Sequence, residues 1–359
     1  MRIRNWLLVI ILGWLAALTA CTAQPAASPG RIYFSRDETI WVFDVASGQE
    51  TLLLNRFLTQ EMRVSPDGKW LAYQVPLDIG QRTNLWSIWV ADARTGREME
   101  IVHQVPASEL FWLPDSRLMV VEYPDWNISS DGTQLTKGEA RHTIFDPRTE
   151  RTSPASWYVT PPDNGRVFYA PTFDCAAEEM FGPSQDVLRV SCLDAREPIT
   201  IATPLSLGGS AWSSDGKQLS FTADYETRLW DAWSFYVWQR DTNTVREINL
   251  RARGYDVGAE SWSPDNQWVA FQSDRNLCVL NVADEKPTCF HFYLTGGGIP
   301  VSWSPNSRQI VIATWADRVC KRLGCDCSNP VLVAVDVPSG EVTKLADNVR
   351  FAFTPLWGR

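Results

Sequence analysis

The side chains best placed to do chemistry in this chain are carboxylates. Asp37, Asp78, Asp125, Asp174, Asp224, Asp274 and Asp317 recur along the sequence, each a few residues after an apolar run that reads as a strand. The long connections 76–84, 124–141, 171–186, 223–232 and 314–329 add further acids and aromatics, among them Trp126, Glu178, Phe181, Tyr225 and Trp230. On one face of a repeat protein such a series makes a polyanionic rim suited to a cation, a sugar or a basic protein surface. Two carboxylates ~5–9 Å apart, one with a raised pKa, would instead suit glycoside hydrolysis. The plainer reading is that each Asp ties down its own loop through backbone N–H groups. Recurrence in every unit favours that reading, because a specific site would use a few unequal residues.

Other chemistries are poorly provided for. His103, His142 and His291 lie outside ligand spacing of one another and of any Cys, so they read as ordinary strand or loop residues and no metal is expected. Gly208-Gly-Ser-Ala-Trp212 borrows letters from a nucleophile elbow but leads into a turn. Gly296-Gly-Gly298 lacks the Lys-Ser/Thr of a phosphate loop. No catalytic residue and no cofactor is assigned. Cys175 with Cys192 and Cys278 with Cys289 bracket strand connections at distances a disulfide can meet. Cys320, Cys325 and Cys327 look like half a zinc site without partners and read as one disulfide with a spare thiol.

The elements that must position these residues repeat. RVSPDGKWLAY at 63 returns as FWLPDSRLMVV at 111, AWSSDGKQLSF at 211, SWSPDNQWVAF at 261 and SWSPNSRQIVI at 302. In SPDG, Pro66 presets φ, Asp67 bonds the turn backbone and Gly68 tolerates the exit, so the motif reverses the chain between two strands. Anchored on Pro66, Pro114, Pro162, Ser214, Pro264, Pro305 and Pro355, the intervals are 48, 48, 52, 50, 41 and 50 residues. Each interval also holds a third strand ending in Asp, as in IWVAD to Asp92, and a fourth that follows a hairpin such as Asp92-Ala-Arg-Thr-Gly96. Four antiparallel strands repeated at this period, without helical patterning between them, predict an all-β propeller. The chain after Gly30 opens on a second strand and its last residues read as a first strand. Joined, they complete one blade and close a ring of seven, with six as the alternative. The domain is placed at 31–359.

Residues 1–20 are a separate object: Arg2 and Arg4, then an apolar run too short for a comfortable span, then Leu18-Thr-Ala-Cys21. This resembles the bacterial lipobox, which implies lipidation of Cys21, removal of 1–20 and a tether over 21–30. Removing 1–20 takes the formal charge from −9 to −11. No basic stripe is present, which argues against nucleic-acid binding.

The turn and strand motifs together resemble the TolB-type propeller family, the WD40-like PD40 repeat, most closely at 63–92, 211–241, 261–284 and 302–340. The resemblance implies the propeller fold, and partner binding by analogy only. The expected function is a lipid-anchored scaffold in the cell envelope. It would bind a protein or envelope polymer through its loop-rich face, since repeat-protein insertions collect on the binding face. A carboxylate-dependent hydrolase or lyase acting on glycan or peptide is the alternative.

Overall fold

The computed structural model describes residues 30–37, 39–56, 62–77, 85–105, 108–123, 127–128, 135–136, 140–160, 164–226, 234–250, 258–273, 276–292, 301–315, 330–349 and 355–358. These form seven four-stranded antiparallel sheets arranged as blades in a ring, with no helix among the described residues. From first strand to fourth, blade 2 runs Met62–Val64, Trp70–Pro76, Trp86–Asp92 and Glu98–Val105. Blade 3 runs Ser108–Trp112, Leu118–Glu122, Arg141–Asp146 and Arg151–Pro154. Blade 4 has Gly165–Tyr169, Cys175–Met180, Val187–Cys192 and Ile199–Ala202. Blade 5 has Ser206–Trp212, Gln218–Asp224, Ser234–Gln239 and Thr244–Ile248. Blade 6 has Gly258–Trp262, Trp268–Ser273, Asn276–Asn281 and Lys286–Phe290. Blade 7 has Val301–Trp303, Gln309–Trp315, Pro330–Asp336 and Val342–Asp347. A two-stranded hairpin, Asn127–Ile128 with Leu135–Thr136, stands apart.

Blade 1 is the composite. Leu356–Gly358 pairs with Arg31–Arg36, followed outward by Thr39–Asp44 and Gln49–Leu54. Ile32 faces Trp357 as Ile310 faces Trp303 in blade 7, so the last strand fills the first-strand slot and closes the ring. The count is seven, and the six-blade alternative is excluded.

The SPDG turn works through its side chains. Ser65 Oγ donates to Asp67 Oδ1 at 2.7 Å and accepts the Trp70 N–H at 3.0 Å, while Lys69 N–H donates to Asp67 Oδ1 at 3.1 Å. The set recurs at Ser213, Ser263 and Ser304. Gly68 has φ +70°, and Ser116 and Ser307 occupy the same left-handed slot at φ +63° and +59°. They offset that cost with a bond glycine could not make: Ser116 Oγ accepts the Asp67 N–H at 3.1 Å and Ser307 Oγ the Asp265 N–H at 2.9 Å, each from the preceding blade. A second latch lies one residue before the turn. The indole N–H groups of Trp112, Trp212, Trp262 and Trp303 donate to Arg63, Phe168, Ala211 and Ser261 carbonyls at 2.8–3.1 Å, again in the preceding blade.

Two anchor positions are corrected. The blade 4 turn is Ala170-Pro-Thr-Phe-Asp174, with Phe173 at φ +58°, so Pro171 and not Pro162 holds the SPDG slot. Pro355 precedes its strand, and Trp357 takes the Trp303 position. The step from Pro114 to Pro171 is therefore 57 residues, lengthened by the insertion after the second strand of blade 3.

Candidate functional site

Chain direction separates two faces. First-to-second turns and third-to-fourth hairpins share one face and bond to each other there, as in Ala93 N–H to Lys69 O and Val337 N–H to Arg308 O. Connections from second to third strands leave from the other face, and these carry the long insertions.

Three members of the carboxylate series, Asp37, Asp174 and Asp224, are described, and Asp174 lies on the opposite face from the other two. Asp174 sits in the blade 4 turn on the short-turn face. Burial pushes its pKa up, but Thr172 and the Arg240 guanidinium, 2.7 Å away, outweigh burial and lower it. Glu178 lies in the second strand of blade 4 and not in a loop, because 171–186 comprises the turn, that strand and a short connection. Asp224 ends the second strand of blade 5, buried, and accepts the Glu226 N–H at 2.8 Å, which is the loop-tying role. Asp37 is described in the tight blade 1 turn at φ +46°. Tyr225 is 46% exposed, edge-on to Tyr236. Phe181 is half-buried beneath the Arg166 guanidinium. Asp78, Asp125, Trp126, Trp230, Asp274, Asp317, Cys21, Cys320, Cys325 and Cys327 lie outside the described residues.

What the structure does bring together is a set facing the seam between blades 3 and 4. Strand alternation puts Glu178, Arg189 and Ser191 of blade 4 on the side of Val167 and Tyr169, facing blade 3. The Glu178 carboxylate, 1% exposed, accepts both Arg189 Nε at 2.9 Å and Nη2 at 2.6 Å, and Ser191 Oγ at 2.5 Å. From blade 3, Tyr123 Oη donates to Glu109 at 3.0 Å, and burial raises its pKa. His142 stacks on Tyr158 with ring centroids 3.6 Å apart. Only 8% exposed and with no hydrogen-bond partner at either ring nitrogen, His142 has its pKa pushed down by burial to about 4. Tyr169 takes the slot that Trp holds in five other blades. Its hydroxyl exchanges bonds with the Val159 backbone instead of latching the blades together, and burial lifts its pKa to about 12. Trp157 packs edge-on to Tyr169 and Phe173, and Tyr158 is 46% exposed. Sequence reading missed this set, since no motif links residues 109, 123, 142, 158 and 189. The missing Trp at 169 was the available signal.

On the other side of blade 4, Glu179 is fully buried without a hydrogen-bond partner, and burial raises its pKa. His103 pairs with Glu100 at 2.7 Å. A cleft of about 320 Å³ opens between blades 7 and 1 on the short-turn side, but its Asp336 and Lys344 are paired with Arg308 and Asp347. Both expected disulfides are formed, Cys175–Cys192 and Cys278–Cys289, across paired strands. Among the described residues no three His, Cys, Asp or Glu side chains gather as a metal site.

No family model matches the chain, and no curated protein matches its sequence. Solved structures do. The β-propeller domain of the Trilobed protease from Pyrococcus furiosus aligns over 89% of this chain and 96% of its own, with TM-score 0.59 and 16% identity. TolB from Acinetobacter baumannii aligns over 92% and 82%, with TM-score 0.50 and 14% identity. An oligogalacturonate lyase in complex with manganese aligns over 89% and 86%, with TM-score 0.55 and 12% identity. These likenesses support the β-propeller fold and nothing narrower, and the chain's own sheets make it a seven-bladed one. The Pyrococcus domain is described as having an open velcro topology. In this chain Leu356–Gly358 closes the ring by pairing with the second strand of blade 1.

Proposed function

We propose that this chain is a lipid-anchored extracytoplasmic propeller that binds a protein or envelope polymer through its long-connection face, in the sector of blades 3 and 4. The observation that carries the reading is the seam itself. The seam between blades 6 and 7 holds aliphatic side chains and a Trp latch, whereas this one gathers Glu109, Tyr123, His142, Glu178 and Arg189 beside exposed Tyr158. A rigid ring has no structural need of them. Two disulfides support an oxidising compartment, and a Cys21 lipid would supply the anchor. Capture from cross-linked envelopes tests the sector: Tyr158→Ala should lose partners that the wild type and the short-turn-face variant Leu193→Ala retain. Equal capture by all three would remove the assignment.

A hydrolase or lyase is the second reading, favoured by two carboxylates, Glu109 and Glu178, close enough to Tyr169 for both to raise its pKa, after burial. It is weaker because Glu178 is buried and its oxygens are taken by Arg189 and Ser191. Release of reducing ends from envelope glycan, abolished by Glu109→Gln, would reverse that ranking.

A further inference from the structure

We infer that in the anchored protein the short-turn face lies toward the bilayer and the long-connection face is displayed away from it. This deepens the anchoring reading above and rests on it.

The chain enters the ring at Gly30, at the start of the second strand of blade 1, on the short-turn face. Its carbonyl accepts the Val45 N–H at 3.2 Å, from the hairpin of the same face. Gly30 adopts φ +135°, and a Cβ there would stand 2.3 Å from the Gly358 oxygen and 2.9 Å from Trp357 Nε1. Register places Gly358 where Ser304 opens the blade 7 turn and Gly30 where Arg308 leaves it. Both ends of the composite blade thus meet in one turn, and the entry point is fixed by close backbone packing.

Residues 22–29 then span the distance to Cys21. At about 3.3–3.6 Å per residue they reach ~30 Å at most. Turning the other face to the membrane would take the tether past two outer strands, ~10 Å at ~4.8 Å each, and down a blade ~20 Å high at ~3.3 Å per residue. That path consumes the whole tether before the bilayer is reached.

On the short-turn face, backbone bonds join the two turns within blades 1, 2, 4, 5, 6 and 7, and Ser116 and Ser307 join turns of neighbouring blades. A partner of the displayed face must therefore come from the compartment beyond the lipid surface and not from that surface.

The test uses the full lipidated chain on vesicles of phosphatidylethanolamine and phosphatidylglycerol carrying a headgroup acceptor dye. A donor amino acid is placed, in separate samples, at exposed Leu193 on the short-turn face and at exposed Tyr225 on the other. Energy transfer from position 193 should exceed that from 225 by about twofold, for a ~20 Å difference in height. Both signals should vanish in Cys21→Ser. Equal transfer, or more from 225, overturns the orientation while leaving the anchor standing. Absence of the diacylglyceryl mass on the intact protein overturns the anchoring reading and the orientation with it.

Discussion

The seams between blades 6 and 7 and between blades 3 and 4 are the same junction built twice, with opposite contents. At the first, Leu277, Val279, Ile310, Ile312, Val333 and Val335 interlock fully buried, and Trp303 latches to Ser261. At the second, the buried apolar set shrinks to Leu113, Met119, Val121, Tyr123 and Ile144. An ion pair, an unpartnered imidazole and stacked aromatics fill the remainder. One seam maximises transfer of apolar surface out of water. The other retains groups whose burial costs energy unless paired. Equal topology with unequal chemistry separates what holds the ring from what the ring holds.

The comparison can be broken at either seam. The largest effect is expected at the apolar one: Ile312→Ala should cost about 3–4 kcal/mol in denaturant unfolding, from lost transfer energy plus a cavity, with capture unchanged in the folded fraction. Arg189→Met should cost about 3 kcal/mol by stranding the buried Glu178 charge.

Acid sensitivity separates the seams next. His142 is depressed from 6.5 to about 4 in the folded state, so the unfolded chain binds the extra proton between those values. Its contribution is complete above about 6.5 and falls as pH drops toward 4, by at most ~3.5 kcal/mol in all at ~1.4 kcal/mol per unit. His142→Gln should flatten that part of the stability profile, and no apolar-seam substitution should. The smallest effect is Trp303→Phe, about 1 kcal/mol for one indole hydrogen bond, read as a shift in unfolding midpoint at unchanged slope.

Sequence legibility divides along the same line. The ring was readable because its parts are local: Ser-Pro-Asp-Gly sets a turn within four residues, and the strands alternate. Cys175–Cys192 and Cys278–Cys289 were readable because they join adjacent strands. Blade 4 was misregistered because Pro162 keeps the expected spacing, while the true turn at Pro171 lacks both Ser and Gly. That error carried Asp174 and Glu178 onto the wrong face and into a loop. The seam set was hidden for a different reason. Its members come from two blades, and inter-blade facing follows from strand parity around a ring, which no local motif encodes.

The most direct test of the whole account is the pair replaced together, Glu178→Leu with Arg189→Met. An ion pair kept for stability should be missed, whereas one kept for binding should be replaceable by apolar side chains at little or no cost in folding. We predict a double variant that unfolds at or above the wild-type midpoint yet no longer captures the partners that wild type retains from cross-linked envelopes. A double variant that is markedly less stable, or stable with capture intact, would contradict the claim that this seam exists for function.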